Sequence, residues 1–219
     1  MSDHLLPLWH GVPLAKAQVI CVFVHGRGQS PEAMVDAVLS RVSAQGVAYC
    51  LPRAASGTWY AARAIDPLTE QTKAELAGAC AHLEQTVRKA QSDALRVPMV
   101  VAGFSQGACV ALEWLCAGGT APQALMAFTG CRVGTGADLC VTQSLQGVPL
   151  YLTGGDADPW IPVSAYAETV QSLGLAQARL RADLFPGRAH EVSLAEIAML
   201  DLTLREVAAG APVTFGAAR

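Results

Sequence analysis

Short, continuously apolar runs alternate along the chain with longer segments in which apolar residues recur at helical spacing. The runs are bounded by glycine, proline or polar residues, a pattern that is typical of buried strands. They predict strands at 18–24, 47–51, 124–129, 149–153 and 179–185, and one more that begins at residue 97. Helices are predicted at 31–45, 70–92, 164–173 and 194–208, and another directly after residue 105. This alternation predicts an α/β fold, in which a mostly parallel sheet is covered by helices on both faces.

Capping residues mark the starts of three predicted helices. Ser30 precedes Pro31 at the first helix, and Thr69 precedes the second. Ser193 and Glu196 have the spacing of a capping box at the last one. Side chains of this kind accept hydrogen bonds from the unpaired N–H groups of a first helical turn. We therefore expect these helices to begin directly after Ser30, Thr69 and Ser193.

The segments between the elements differ in regularity. Residues 5–17 predict a short edge strand or an irregular lead-in, 130–144 a glycine-rich irregular passage, and 210–219 a frayed tail. The connection from 52 to 67 is long and contains an unusual group of basic and aromatic residues, namely Arg53, Trp59, Tyr60 and Arg63. Connections of this length are more often functional than accidental. We therefore expect this loop to contribute to function.

A Gly-x-Ser-x-Gly motif at Gly103, Ser105 and Gly107 lies between a predicted strand and a predicted helix. A strand, a sharp turn and a helix around this motif expose a serine hydroxyl at the edge of an α/β sheet. The two glycines lack the Cβ atoms that would collide where strand and helix pack closely. Ser105 is therefore the candidate nucleophile.

A serine hydroxyl needs a base to take its proton, and histidine suits that task. On such a sheet the catalytic residues follow the chain order serine, acid, histidine. Of the histidines at positions 4, 10, 25, 82 and 190, only His190 follows Ser105. The candidate acids between them are Glu113, Asp138, Asp156, Asp158, Glu168 and Asp183. Asp156 and Asp158 directly follow a predicted strand, and the residues alone leave the choice between these two open.

The negative charge that develops on an attacked carbonyl oxygen needs preorganised N–H donors. The Gln106 N–H lies at the start of the predicted helix, where amides stabilise negative charge. The second donor is predicted to be the Arg27 N–H, in the glycine-rich turn that follows the first clear strand. In this turn His25 is expected to act as a brace. A phosphate-binding loop is less favoured because no Gly-Lys-[Ser/Thr] follows.

The composition of the chain argues against further classes of function. The chain has 219 residues, 52% hydrophobic and 15% charged, which predicts one globular domain over 1–219. The net charge is −3 and the basic residues are scattered, so nucleic acid is not an expected partner. No apolar stretch is long enough to span a membrane, and the first residues lack the pattern of a signal peptide. Stable membrane insertion is not expected.

The cysteines favour a reducing compartment. They form an odd set without a Cys-x-x-Cys pair, at positions 21, 50, 80, 109, 116, 131 and 140. Several lie among apolar neighbours, where a free thiol behaves as a small hydrophobic group. A cytoplasmic location is therefore predicted.

Several motifs together resemble the phospholipase/carboxylesterase family, which includes acyl-protein thioesterases and small bacterial carboxylesterases. They are His25-Gly26-Arg27-Gly28, Thr58-Trp59-Tyr60, Gly103-Phe104-Ser105-Gln106-Gly107, Gly155 to Pro162, and Gly187-Arg188-Ala189-His190. The resemblance implies an α/β-hydrolase fold without a large lid, and it implies that Asp158 is the acid. It also implies hydrolysis of ester or thioester bonds without a metal or other cofactor.

The chain departs from the family pattern at three places. Arg27 and Gln29 stand where thioesterases usually have an apolar residue and Asp, which places the chain nearer the bacterial carboxylesterases. Trp160 occupies a position that is more often aliphatic, and Ala108 and Cys109 replace a Gly-Ala or Gly-Met pair. These departures affect the expected substrate and leave the expected mechanism unchanged.

The sequence therefore predicts a serine hydrolase that acts on a small ester or thioester through an acyl-enzyme. Trp59, Trp160 and Ile161 are candidates for the pocket wall, with loop aromatics that cover the core as the alternative. Lysophospholipase or acyl-protein thioesterase activity, and a ligand-binding protein without turnover, are the rival functions. A perhydrolase or dienelactone-type hydrolase is a further rival, although the latter enzymes carry Cys in place of Ser105. Whether the protein forms a homodimer is left open by the sequence.

Overall fold

The computed structural model describes residues 6–139, 141 and 143–216. Its strands are β1 (Leu8–Gly11), β2 (Val19–Val24), β3 (Val47–Leu51), β4 (Met99–Phe104), β5 (Ala124–Phe128), β6 (Pro149–Gly155) and β7 (Arg179–Phe185). The α-helices are α1 (Pro31–Ala37), α2 (Glu70–Asp93), α3 (Gln106–Cys116), α4 (Val163–Leu175) and α5 (Leu194–Ala208). Cys140 and residues 217–219 of the predicted frayed tail lie outside the described residues.

All of these strands form one open sheet in the order β1-β3-β2-β4-β5-β6-β7. The edge strand β1 is antiparallel to β3, and every other neighbouring pair is parallel. The predicted mostly parallel α/β fold is confirmed, and the lead-in does contain an edge strand. Because β4 lies near the centre of the sheet, the turn after it is surrounded by the ends of β2, β5 and β6.

Side chains that alternate along a strand pack into two different apolar layers. In β2, Ile20, Val22 and Val24 pack into the layer that contains α2, α3 and α4. The intervening residues of the same strand pack into the layer that contains α1 and α5. This alternation is the period-two geometry of a strand buried on both faces, and it explains why the strand sequences are continuously apolar.

The predicted caps are present. The Ser30 side chain accepts from the Ala33 N–H, and Ser193 and Glu196 form a reciprocal capping box. The first helix is shorter than the sequence predicted: it ends at Ala37 and a short 3-10 helix follows at Leu39–Arg41. Asp201 of α5 accepts hydrogen bonds from the N–H groups of Ser43 and Ala44. This contact with a distant element fixes the segment that follows the 3-10 helix.

Among the helices of the described residues, none combines the length and the apolar character that a membrane crossing requires.

Candidate active site

Ser105 occupies the turn between β4 and α3 in a strained conformation, with φ 55° and ψ −122°. A Cβ built at Gly107 would lie 2.2 Å from the Val24 carbonyl oxygen, and one at Gly103 would lie 2.6 Å from the Gly107 backbone. Only glycine therefore permits this approach of helix, turn and neighbouring strand. The elbow geometry predicted from the sequence is present, and it holds the Ser105 hydroxyl at the carboxyl end of the sheet.

A continuous chain of hydrogen bonds joins the candidate nucleophile to a buried carboxylate. His190 Nδ1 lies 2.7 Å from Asp158 Oδ2, and His190 Nε2 lies 2.7 Å from Ser105 Oγ. Because a carboxylate only accepts, Nδ1 carries the proton and Nε2 is left to accept from the Ser105 hydroxyl. The structure thus brings together the three residues that the sequence placed far apart.

Asp158 is held in place by its own turn. Its Oδ1 accepts from the N–H groups of Trp160 and Ile161 at 2.7 and 3.1 Å, and its carboxylate is fully buried. Asp156 instead accepts from the Gly187 N–H at 2.5 Å. Of these two carboxylates, Asp158 is the one that binds His190.

Three of the other candidate acids are engaged elsewhere, and Glu168 lies within α4. Glu113 forms a buried ion pair with Arg132, and Asp183 accepts from Tyr151 and Arg181. Asp138 takes part in the capping box of a short 3-10 helix. Among the described contacts, His190 is bound by none of these carboxylates.

The turn after β2 packs directly against Ser105. A Cβ at Gly26 would lie 3.2 Å from the Ser105 Cβ. The N–H groups of Gly26 and Gly28 donate to the Gln29 side chain and to Gly57, whereas the Arg27 N–H has no acceptor among the described residues. Gln106 is the first residue of α3, so its N–H has no partner within the helix. Both predicted oxyanion donors are therefore unused.

His25 braces this turn. Its Nε2 accepts from the Ala54 N–H at 3.2 Å, so its Nδ1 carries the proton and donates to the Gly26 carbonyl at 2.8 Å. Burial lowers the pKa of His25, chiefly by desolvation. The neutral ring satisfies both neighbours, as expected for a brace.

A cavity of about 420 Å³ opens beside Ser105, a size that is ordinary for small-molecule sites. The pocket candidates Trp160 and Ile161 are among the residues that line it. Further lining residues, which the sequence did not assign to the cavity, are Arg27, Tyr60, Arg63, Ala64 and Cys109. The long loop therefore contributes one wall of the site.

Trp59, which the sequence suggested for the pocket wall, is not among the described residues that line this cavity. Its indole Nε1 donates to the His25 carbonyl at 2.8 Å, and its ring lies 4.9 Å from that of His25. Two hydrogen bonds fix the loop backbone: the buried Gln106 side chain accepts from the Trp59 N–H and donates to the Tyr60 carbonyl. With the backbone held in this way, the Trp59 side chain packs into the core and Tyr60 lies towards the cavity.

A buried polar network supports the loop that carries His190. Arg188 donates to Thr129 Oγ1 at 2.7 Å and to the Glu191 carbonyl, and it lies 3.5 Å from the Glu196 carboxylate. The Thr153 hydroxyl donates to Glu196. Sequence reasoning identified Glu196 only as a helix cap, and its full burial is the feature that local patterns did not show.

Residues 6–139, 141 and 143–216 contain no group of three His, Cys, Asp or Glu residues placed to hold a metal ion.

Comparison with known proteins identifies the family. Its sequence model, Phospholipase/Carboxylesterase, matches residues 12–206. No curated protein matches the chain. A solved phospholipase/carboxylesterase from Dyadobacter fermentans is 27% identical, with a TM-score of 0.81 over 93% of this chain and 98% of that one.

Two more distant structures share the fold. The Bacillus cereus carboxylesterase is 16% identical, with a TM-score of 0.69 over 92% of this chain and 93% of its own. The Zea mays acyl-protein thioesterase 2 is 14% identical, with a TM-score of 0.71 over 92% and 99%. The family match spans most of the sequence, and these structures carry the same α/β-hydrolase architecture. The chain belongs to the phospholipase/carboxylesterase family.

Proposed function

We propose that this protein is a serine hydrolase that cleaves carboxylic esters or thioesters through an acyl-enzyme. The observation that carries the proposal is the hydrogen-bonded chain from Asp158 through His190 to Ser105, at the edge of an open cavity. Nucleophile, base and orienting acid are the parts that acyl transfer to a hydroxyl requires.

The proposed reaction uses these groups in order. Ser105 Oγ attacks the substrate carbonyl while His190 Nε2 takes the hydroxyl proton, and Asp158 stabilises the imidazolium that forms. The N–H groups of Arg27 and Gln106 stabilise the oxyanion of the tetrahedral intermediate. His190 then gives its proton to the leaving alcohol or thiol. Water, activated by His190, releases the acyl group in the same way.

The test combines covalent labelling with turnover. A fluorophosphonate probe and p-nitrophenyl acetate are applied to the wild type, to Ser105→Ala and to the control Ser92→Ala. Ser92 lies on α2, where its hydroxyl donates to the Lys89 carbonyl. The wild type and Ser92→Ala should be labelled once and hydrolyse the ester, whereas Ser105→Ala should do neither. Labelling that survives in Ser105→Ala would contradict the assignment.

The same experiment separates the rival functions. A binding protein without turnover would take the probe poorly and release no nitrophenol. Parallel assays with an acyl-CoA, a lysophospholipid and an S-acylated peptide distinguish a carboxylesterase from a lysophospholipase or an acyl-protein thioesterase. The fully engaged Asp158 and His190 favour turnover, because a binding protein has no need of them.

A further inference from the structure

The charge of the cavity is opposite to that of the chain. The sequence has a net charge of −3, but the charged side chains among the described lining residues are the arginines Arg27 and Arg63. No carboxylate is among those lining residues, and the Asp158 carboxylate is fully buried beside His190. A cavity with positive charge at its wall attracts an anionic ligand.

The two arginines differ in how their charge is balanced. Arg63 Nε and Nη2 donate to Asp66 Oδ1 at 3.1 and 2.9 Å, and this ion pair also lowers the pKa of Asp66. The carboxylate thus offsets part of the charge of Arg63 before any ligand binds. Arg63 is therefore the weaker of the two candidates for binding an anion.

Arg27 is held by neutral acceptors. Its guanidinium donates to the carbonyl oxygens of Ala61, at 2.9 Å, and Ala62. Carbonyl groups orient a guanidinium without cancelling its charge, and its remaining N–H groups are available to a ligand. The neighbouring Glu75 is half-buried, and its pKa is lowered chiefly by hydrogen bonds from the Ala61 N–H and Gln71 and to a smaller extent by the charge of Arg27.

The cation is also fixed relative to the candidate nucleophile. Its Cζ lies 5.8 Å from the centre of the Tyr60 ring, and the Tyr60 carbonyl is bound by Gln106, the residue after Ser105. A preorganised guanidinium loses less freedom on binding a carboxylate than a mobile one. Arg27 is therefore built as a fixed cationic contact.

We propose that the preferred substrate is an ester or thioester that carries a carboxylate, and that the Arg27 guanidinium binds this carboxylate. The inference rests on the proposed function and adds the substrate class. It assigns separate tasks to one residue: the N–H serves the oxyanion, and the side chain selects the substrate.

The test measures charge preference with matched esters. One pair places the charge on the acyl side, the p-nitrophenyl ester of adipic acid against its methyl ester. The other places it on the leaving group, 4-acetoxybenzoate against methyl 4-acetoxybenzoate. The preference is the kcat/KM of the anionic ester divided by that of its neutral partner, with Ser105→Ala as the blank for spontaneous hydrolysis.

The wild type should prefer the anionic ester in at least one pair by about tenfold, the worth of one hydrogen bond between charged groups. Arg27→Gln should abolish the preference, and Arg27→Lys should retain part of it. The control Arg63→Gln/Asp66→Asn removes the balanced ion pair and should leave the preference unchanged. Added salt should weaken the wild-type preference, because it screens the exposed cation.

Two results would overturn the inference: no charge preference of the wild type in either pair, or a preference that persists in Arg27→Gln. The wild-type measurement stands alone if a variant does not fold. Failure of the proposed function would give a different result: no ester would be hydrolysed above the Ser105→Ala blank, and the fluorophosphonate would not label Ser105.

Discussion

Asp156 and Asp158 follow the same strand, yet their carboxylates have different partners. Asp156 is exposed and accepts from the Gly187 N–H, whereas Asp158 is buried and accepts from Trp160, Ile161 and His190. A carboxylate can fix the tautomer of an imidazole only where it accepts from the ring. Position after a strand is therefore not enough, and the direction of the side chain decides the role.

This difference predicts the kinetics of two matched variants. Asp158→Asn should lower kcat by about 10³- to 10⁴-fold, because the amide no longer fixes the His190 tautomer or stabilises its charged form. Asp156→Asn should lose less than about tenfold, because the amide oxygen still accepts from the Gly187 N–H. Steady-state hydrolysis of p-nitrophenyl acetate measures both, with circular dichroism to verify folding. Similar losses in the two variants would contradict the assignment of Asp158.

His25 predicts a dependence of stability on pH. Its folded-state pKa is lowered by burial, so the native protein binds this proton less readily than the unfolded chain. The contribution of His25 to stability is thus complete above its unfolded pKa of about 6.5 and is lost as the pH falls through that value. His25→Gln should cost about 1–3 kcal/mol at pH 8, and the gap to the wild type should narrow at pH 5. Urea unfolding at the two pH values measures this, and a constant gap would contradict it.

The elbow between β4 and α3 shows what an element requires of single positions. The Cβ of an alanine at Gly107 would meet the carbonyl oxygens of Val24 and His25, which are backbone atoms and cannot rotate away. Gly78, in the exposed middle of α2, has open space around its Cβ position. Replacement by alanine is therefore expected to have opposite effects on stability at Gly107 and at Gly78.

Gly107→Ala should destabilise the protein by about 2–3 kcal/mol and reduce activity, because α3 must move away from β2 and carry Ser105 with it. Gly78→Ala should stabilise it by about 0.5–1 kcal/mol, because alanine favours the helical backbone. Thermal unfolding and ester hydrolysis of both variants test the pair. A Gly107→Ala protein as stable and active as Gly78→Ala would show that the turn tolerates a side chain.

The network under the His190 loop joins β5, β6, the loop after β7 and α5. Glu196→Gln should cost about 3 kcal/mol or more, because it leaves the buried Arg188 guanidinium without its carboxylate. The activity should fall with it, since Arg188 and Glu191 flank His190. Glu191→Gln is the matched control: the exposed side chain is altered, and the backbone carbonyl in the network remains. Its stability should stay within about 0.5 kcal/mol of the wild type in urea unfolding, and an equal loss in both variants would contradict the role of Glu196.

At the scale of the whole molecule, the sequence predicted elements better than contacts. The bounds of β3 and β7 match the predicted strands, because apolar runs and their flanking residues are local signals. The end of α1 at Ala37 was missed, and the path of the chain after it involves Asp201, which is distant in sequence. The direction of the Trp59 side chain could not be predicted for the same reason, since contacts with the distant residues Gln106 and His25 fix its loop.

The position of the candidate site could also be predicted from the sequence, whereas the charge and arrangement of the residues that line its cavity could not. Parallel strands end at one edge of the sheet, so residues that directly follow β2, β4, β6 and β7 had to lie near each other. The order of those strands and the charge balance of Arg27 and Arg63 depend on crossovers and on long-range hydrogen bonds. Neither follows from hydrophobic periodicity.

The cysteines of the core offer a probe of the whole fold. Cys21, Cys50 and Cys116 are almost fully buried, and burial raises the pKa of Cys21 and brings the pKa of Cys50 and Cys116 to about 12. The thiolate is the reactive form, so these residues should resist iodoacetamide at pH 8 until the molecule unfolds. Cys109 is equally buried but lines the cavity, and its pKa is lowered, chiefly because the Cys131 thiol donates to its sulfur.

Pulsed alkylation followed by peptide mapping should therefore label Cys109 before Cys21, Cys50 and Cys116 in the native protein. In guanidinium chloride all four should react at similar rates, which is the control for intrinsic reactivity. Gly107→Ala should accelerate labelling of the three core thiols, because their exposure follows the population of the unfolded state. Rapid labelling of Cys50 in the native wild type would show that the sheet opens at β3 without global unfolding, and would contradict a single cooperative core.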